Sequence, residues 1–400
     1  MPQKNDVILS LNQEAQDLAK KGVDVTNGAI GMMYLDDGHL PVSEEIRTLL
    51  SRHTQDQDLI YPSVAGTKDY LAAVRKWFLG SSFEEEAKSG NFLSLGTPGG
   101  TGAVCLSFAL SRGKNNAVVI PSLGWPNYVG IAKGFGLDIQ FYSLFAHEAF
   151  DVEGLKKNLL ALLTRYEHLS LLINDPCQNP TGYSLSPEEW KALAAIFQDK
   201  TIRGKVDLIV DAAYIDFAPD ELREAMISAL KSLPEETLCY LCFSFSKTLS
   251  FYGLRIGALS LYSKNKELLA KADDAALMEA RALWSVPNHM AMNAISELLN
   301  NLAENIRLRN EVQHNREIVA ERASTFLSEA REAGLKPYPY VSGFFITLYA
   351  PNAYDTCLKL KDKHIFLAPI KEDAIRIALC SLPSGKIPGL AAAIKEASHD

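Results

Sequence analysis

Cysteine is scarce in this chain: six residues in 400 (105, 177, 239, 242, 357 and 380), too few to build a fold of this size from disulfides. Cys239 and Cys242 form the one Cys-x-x-C, and no second pair completes a zinc site. Both lie in the alternating apolar segment TLCYLCFSFS, which reads as a strand, where residues three apart point to opposite faces. They read as small buried hydrophobes, and no metal is expected. Positive charge is also short. With 40 Lys+Arg against 48 Asp+Glu, the net charge of -8 argues against a nucleic-acid-binding face. No apolar run approaches the roughly 20 residues of a membrane span, and the opening MPQKNDVILSLNQEA lacks the hydrophobic stretch of a signal peptide. A cytoplasmic location with no membrane or nucleic-acid partner is expected. Internal repeats and low-complexity tracts are missing too.

What is present is an ordinary globular composition, 47% hydrophobic and 22% charged, in a length that suits two domains of unequal size. Short apolar runs alternate with helical patterns through the middle of the chain, the signature of a largely parallel α/β sheet. Strands are expected at 117–121, 139–144, 169–173, 206–210, 237–245 and 256–262. A helix is expected from Ser186 to Gln198, and a long helical region, with room for a break, from about Asn288 to Gly334. From Pro337 the pattern changes to strands at 343–349 and 374–379 with two shorter helices, a second and smaller α+β domain. The expected division is a large domain over 46–305 and a discontinuous small one over 1–45 and 306–400.

The most informative run is Ser244-Phe-Ser-Lys-Thr-Leu-Ser-Phe-Tyr-Gly-Leu-Arg255-Ile-Gly257. It sets Lys247 just beyond an apolar strand, with two hydroxyls before it and an arginine eight residues after it. An amine forms a Schiff base with an aldehyde, while hydroxyls and a guanidinium hold a phosphate. Pyridoxal 5'-phosphate (PLP) carries both groups. Other unusual residues also fall at strand ends, where an α/β sheet places its ligands. Asp211 ends VDLIV and is followed by Ala-Ala-Tyr214; it is either a turn residue or a carboxylate for a protonated pyridine nitrogen. Asn179-Pro-Thr-Gly182 is either a plain turn or a donor to the ring oxygen. Gly99-Gly-Thr-Gly102 opens a helical pattern whose amides can meet a phosphate, and Trp125 is either core or a flat wall for a ring.

In the order and spacing of these motifs the sequence resembles the class I aminotransferases of PLP fold type I, most of all the aspartate and aromatic amino-acid transaminases. The resemblance runs from the Ile30-Gly31-Met-Met-Tyr34 segment to Arg376. It implies a large PLP-binding domain with a mostly parallel mixed sheet flanked by helices, plus a smaller α+β domain. It implies Lys247 as Schiff-base lysine and proton shuttle, Asp211 as partner of the pyridinium, and Asn179 and Tyr214 on the 3'-oxygen. Trp125 would stack on the ring, with Gly100, Thr101, Ser244, Ser246 and Arg255 holding the phosphate. Tyr61 resembles the tyrosine that reaches a phosphate across a dimer interface, which implies a homodimer with shared active sites.

For the substrate, the resemblance implies Arg376 as holder of the α-carboxylate and Arg281, from the partner subunit, as holder of an aspartate or glutamate side chain. Gly31, Trp125 and Asn179 would join them in lining the substrate site. The implied reaction is a ping-pong transfer of an amino group between an L-amino acid, aspartate first, and 2-oxoglutarate. An aromatic transaminase of broad specificity is the alternative. A PLP-dependent carbon-sulfur lyase is disfavoured by Arg281, and a transcription regulator on the same fold by the roughly 30 residues ahead of Gly31. Three departures stand out. Tyr128 replaces the usual histidine beside the pyridinium aspartate, Gly99 replaces a common serine, and Trp284-Ser-Val-Pro-Asn288 replaces Tyr-Ser-Asn-Pro-Pro.

Overall fold

The computed structural model describes residues 7–80 and 84–398; residues 1–6 and 399–400 of the expected smaller domain, and 81–83 of the larger, lie outside the described residues. The chain divides into two compact units. The larger takes Val42–Pro176 and Leu185–Asn310, and the smaller takes Met1–Pro41, Cys177–Ser184 and Glu311–Asp400. Among the described residues no helix is long and apolar enough to cross a membrane.

Seven strands make the sheet of the larger unit: β1 (Phe92–Thr97), β2 (Asn116–Pro121), β3 (Asp138–Tyr142), β4 (His168–Asn174), β5 (Val206–Asp211), β6 (Cys239–Ser244) and β7 (Gly257–Tyr262). Their spatial order is β1-β7-β6-β5-β4-β2-β3. The pairs from β3 through β6 are parallel, and β7 runs antiparallel to both β6 and β1. The central strands are near-continuous apolar runs because both faces are covered; Leu171, Leu172, Ile209, Val210 and Leu241 are all buried. The helix Gly99–Leu110 supplies Val104, Leu106 and Phe108 to the same core as Leu259 and Leu261 of β7. Cys239 and Cys242 are buried in β6, and burial pushes both thiols well above their ordinary range.

Six of these strands match the expected ones with shifted ends. The expected 237–245 run shortens to Cys239–Ser244 because Phe245 opens a one-turn helix, Phe245–Thr248. β1 was not anticipated: FLSLGT mixes its apolar residues with Ser and Gly, a weak strand signal. The expected 186–198 helix is Pro187–Ile196, with Ser186 as its cap. Ser186 Oγ accepts the Glu189 N–H at 3.2 Å, and Glu189 Oε2 accepts the Ser186 N–H at 2.8 Å. The expected region 288–334 is two helices, His289–Asn300 and Leu302–Glu332. Asn301 breaks it in extended backbone, and its Oδ1 accepts the N–H groups of Ala303 and Glu304 to start the second helix.

In the smaller unit β8 (Lys336–Pro337), β9 (Phe345–Tyr349), β10 (Ala368–Lys371) and β11 (Ala374–Ala378) form an antiparallel sheet in the order β8-β9-β11-β10. Phe326, Ile346, Leu348, Ile375, Ile377 and Ile394 share its core. Two links join the N-terminal stretch to this C-terminal part. Thr26–Asn27 pairs parallel with Ile365–Phe366, and buried Arg322 donates to Asp36 Oδ1 at 2.7 Å and to the Tyr34 carbonyl at 3.0 Å. Within the larger unit, Asp175 Oδ1 accepts the Leu185 N–H at 2.7 Å and so closes the neck from which Cys177–Ser184 departs. Complete burial pushes the Asp175 carboxyl up to about 7, with the Leu185 and Trp190 N–H groups pulling it down.

Candidate active site

The register sets the polar strand ends of the larger unit side by side. Asn174 lies opposite Asp211, Asp211 opposite Cys242, Ser244 opposite Gly257, and Gly257 opposite Thr97. At the centre is Asp211, the last residue of β5 and only 5% exposed. Tyr128 Oη donates to its Oδ2 at 2.5 Å, the Ala213 N–H points at its Oδ1 from 3.3 Å, and Asn174 Nδ2 donates to its backbone carbonyl at 2.7 Å. Burial pushes the Asp211 carboxyl up to about 6, while the Tyr128 bond, the Ala213 N–H and the charge of Lys247 pull it down. Burial and the adjacent carboxylate push the Tyr128 phenol far above its ordinary range, so it remains a donor at every working pH. Trp125 meets the Tyr128 ring edge-on, with centroids 5.3 Å apart.

The tyrosine in place of the expected histidine therefore reaches the aspartate directly. Tyr128→Phe is expected to raise the Asp211 titration by about one to two pH units, since a hydrogen bond to a charged group is worth about 1.5–3 kcal/mol. In the PLP-free chain the pH window over which melting temperature falls should extend to higher pH by that amount. A window that does not move would remove Tyr128 from the site.

Lys247 sits on the one-turn helix Phe245–Thr248, whose cap is Ser244; Ser244 Oγ accepts the Ser246 N–H at 3.2 Å. Its Nζ lies 5.4 Å from the ring centroid of Tyr214 and 4.8 Å from that of Tyr252. Beside it a glycine turn, a hydroxyl and a guanidinium lie together. The helix Gly99–Leu110 begins at the Gly99-Gly100-Thr101 turn, and Arg255 Nη1 donates to Ser246 Oγ at 3.2 Å. Gly99 has φ +68°, and a Cβ there would lie 2.9 Å from Arg255 Nη2. A serine at 99 would thus displace the guanidinium, which accounts for the glycine. A Cβ on Gly257 would come within 2.8 Å of the Gly99 carbonyl carbon, so this turn seats against β7 only because Gly257 lacks a side chain. Arg255 itself has φ +54°, a strained conformation of the kind held at functional sites.

The smaller unit carries a second cluster. Arg376 lies in mid-β11, 3% exposed, with Nη1 donating to Asn179 Oδ1 at 3.2 Å and Nη2 to the Ala29 carbonyl at 2.6 Å. Its guanidinium stands 4.5 Å from the Phe345 ring centroid, and a Cβ on Gly31 would lie 2.5 Å from Phe345 Cζ. Gly31 and Arg376 thus meet the same aromatic ring, and Asn179 joins them through its bond from Arg376. Tyr61 and Arg281 lie on the surface of the larger unit. Tyr61 is 86% exposed, and Arg281 donates to Ser285 Oγ at 2.7 Å at the end of the helix Lys266–Leu283. Sequence reading overlooked Asn174 and Tyr252. Asn174 carried a usable signal, a polar residue ending an apolar strand run; Tyr252 carried none beyond its place between Lys247 and Arg255.

These residues fit PLP in three ways. A buried carboxylate with a raised pKa calls for a cationic partner such as a pyridinium, a glycine-lined helix start with a guanidinium suits a phosphate, and a lysine amine lies between two rings. The model of the family described as aminotransferase class I and II matches residues 23–394. The chain belongs to this family. It is a PLP-dependent transaminase with the class I aminotransferase fold, a mostly parallel mixed sheet flanked by helices. An aromatic-amino-acid aminotransferase of Paracoccus denitrificans is 28% identical over 306 residues, covering 74% of this chain and 73% of its own. An aspartate aminotransferase of Pseudomonas aeruginosa is 26% identical over 301 residues, 74% of this chain and 73% of its own. The crystal structure of an aminotransferase from Anaerococcus prevotii superposes with a TM-score of 0.92 at 28% identity, covering 100% of this chain and 98% of that one.

Proposed function

We propose that this transaminase moves the amino group of an L-amino acid, aspartate first, to 2-oxoglutarate, with the first oxo acid leaving before the second binds. The observation that carries the reading is Arg376, a buried guanidinium fixed by Asn179 and the Ala29 carbonyl over a ring face. A planar fork so held is built for a carboxylate, the group every amino-acid and 2-oxo-acid substrate shares. Lys247, Asp211, Asn179, Tyr214, Trp125, Gly100, Thr101, Ser244, Ser246 and Arg255 would hold the cofactor. PLP supplies, when bound, an aldehyde to receive the amino group and a ring that withdraws electrons from the substrate Cα. Lys247 Nζ takes and returns the Cα proton, Asp211 keeps the ring nitrogen positively charged, and Arg376 orients the substrate. The exposed run Leu59, Ile60 and Tyr61 supports a homodimer in which Tyr61 and Arg281 complete the partner's site.

An aromatic or broad amino-donor range is the second reading. It is favoured by the relative named for aromatic amino acids and by the altered stretch after Arg281. A panel of amino donors against 2-oxoglutarate, run on wild type and Arg281→Ala, decides between them. If Arg281 meets a side-chain carboxylate, its loss lowers kcat/KM for aspartate about ten- to a hundredfold, with little change for phenylalanine. Equal losses on both would remove Arg281 from substrate recognition.

A further inference from the structure

Behind the Lys247 helix lies a buried carboxylate that the reaction does not use. Asp216 is 6% exposed and sits in the single turn Ile215–Phe217, two residues beyond Tyr214. Its Oδ2 accepts Thr248 Oγ1 at 2.6 Å and Trp77 Nε1 at 3.1 Å, and its Oδ1 accepts Arg223 Nη2 at 2.6 Å. Arg223 also donates Nη1 to the Trp77 carbonyl at 3.2 Å, and Arg309 covers the Trp77 ring at 4.4 Å. Thr248 follows Lys247 directly. One carboxylate therefore joins the turn that carries Tyr214 to the turn that carries Lys247.

We propose that Asp216 is a positioning residue that fixes Lys247 relative to Tyr214 through Thr248. The backbone explains the need. β5 and β6 are paired up to Asp211 and Cys242, with the Ala212 N–H still donating to the Cys242 carbonyl at 3.0 Å. Past that bond the two strands part: one chain runs into the single turn Ile215–Phe217, and β6, paired with β7 as far as Ser244, ends in the one-turn helix Phe245–Thr248. Each is one turn of helix, too short to hold its own geometry. The Asp216–Thr248 bond rejoins them where the Lys247 amine must meet its target. Trp77 and Arg223 hold the carboxylate in place from the helices Lys68–Leu79 and Asp220–Lys231. A buried ion pair adds little net stability over apolar packing, and fixing one arrangement is what such a pair supplies best.

This inference rests on the roles proposed for Lys247 and Tyr214, and its test separates the two. Thr248→Val exchanges the hydroxyl for a methyl group. In the full chain, with and without PLP, amide hydrogen exchange across 245–250 should quicken about tenfold or more while the melting temperature stays within a few degrees. In the PLP-loaded enzyme kcat should fall about ten- to a hundredfold with KM little changed, and the pH midpoint of the visible cofactor band should shift. Thr248→Ser should restore all three, and Asp216→Asn should move them the same way. Wild-type exchange, midpoint and kcat in Thr248→Val would overturn the proposal. Exchange in the PLP-free chain reads the clamp alone. A failure of the Lys247 role appears instead as a Lys247→Ala enzyme that still turns over.

Discussion

Lys247→Ala is expected to end steady turnover, with kcat falling by about 10⁴-fold or more. A positioned acid–base group is worth about 10²–10⁴-fold, and loss of a covalent anchor for the cofactor adds to that. The loss should not come from unfolding. The Lys247 amine faces the rings of Tyr214 and Tyr252 at 5.4 and 4.8 Å, contacts worth about 0.5–2 kcal/mol each. The PLP-free variant should therefore melt close to wild type. Its Asp211 should titrate higher still, because the charge of Lys247 is one of the influences that lower it. The measurement is paired: oxaloacetate release from aspartate with 2-oxoglutarate, and the visible spectrum after incubation with PLP. A variant that keeps steady turnover or the lysine-dependent absorbance would sink the assignment.

Much of this site was legible because its chemistry sits at strand ends, and strand ends are what apolar periodicity reveals best. VDLIV stops at Asp211, and TLCYLCFS stops just before Lys247. The lysine, the aspartate and the arginines also belong to types whose chemistry narrows their roles. Other features depend on contacts between distant segments, which no local pattern encodes. Tyr128 was visible as a departure, but its 2.5 Å bond exists only because β2 and β5 flank β4 and lead their chains to the same edge. Asp216 reads in sequence as an acid in a turn; its meaning lies in Trp77, 139 residues away, and Thr248, 32 residues away. Gly99 looked like a lost hydroxyl until its missing Cβ proved to be the space that Arg255 fills. β1 was missed because its place between solvent-side residues and β7 is set by pairing rather than by its own weak pattern.

Asp211→Asn is expected to make the PLP-free chain more stable and the enzyme far slower. The carboxyl titrates near 6 in the folded chain against an ordinary 3.8, because burial disfavours its charge. Between about pH 4 and 6 the native chain then holds more protons than the unfolded one, so stability falls as pH rises through that window and is flat above it. The loss amounts to about 3 kcal/mol at neutral pH. Asparagine carries no charge and can still accept from Tyr128, so the variant escapes this loss and gives up only the weak 3.3 Å approach of the Ala213 N–H. Without PLP the two proteins should melt together near pH 4, and the variant should melt several degrees higher at pH 8. With PLP the order should reverse. The wild-type carboxylate gains a cationic partner, and losing one member of a buried pair costs about 3–5 kcal/mol, or roughly 10²–10⁴-fold in PLP affinity and in kcat. Melting curves from pH 4 to 8 with and without saturating PLP, together with kcat, check both halves. If the PLP-free variant melts no higher than wild type at pH 8, burial does not oppose the Asp211 charge. If the loaded variant turns over like wild type, Asp211 is not the partner of the ring nitrogen. The two outcomes together would mean that this buried carboxylate was held in reserve for no charge at all, which its short bond from Tyr128 and its place beside Lys247 argue against.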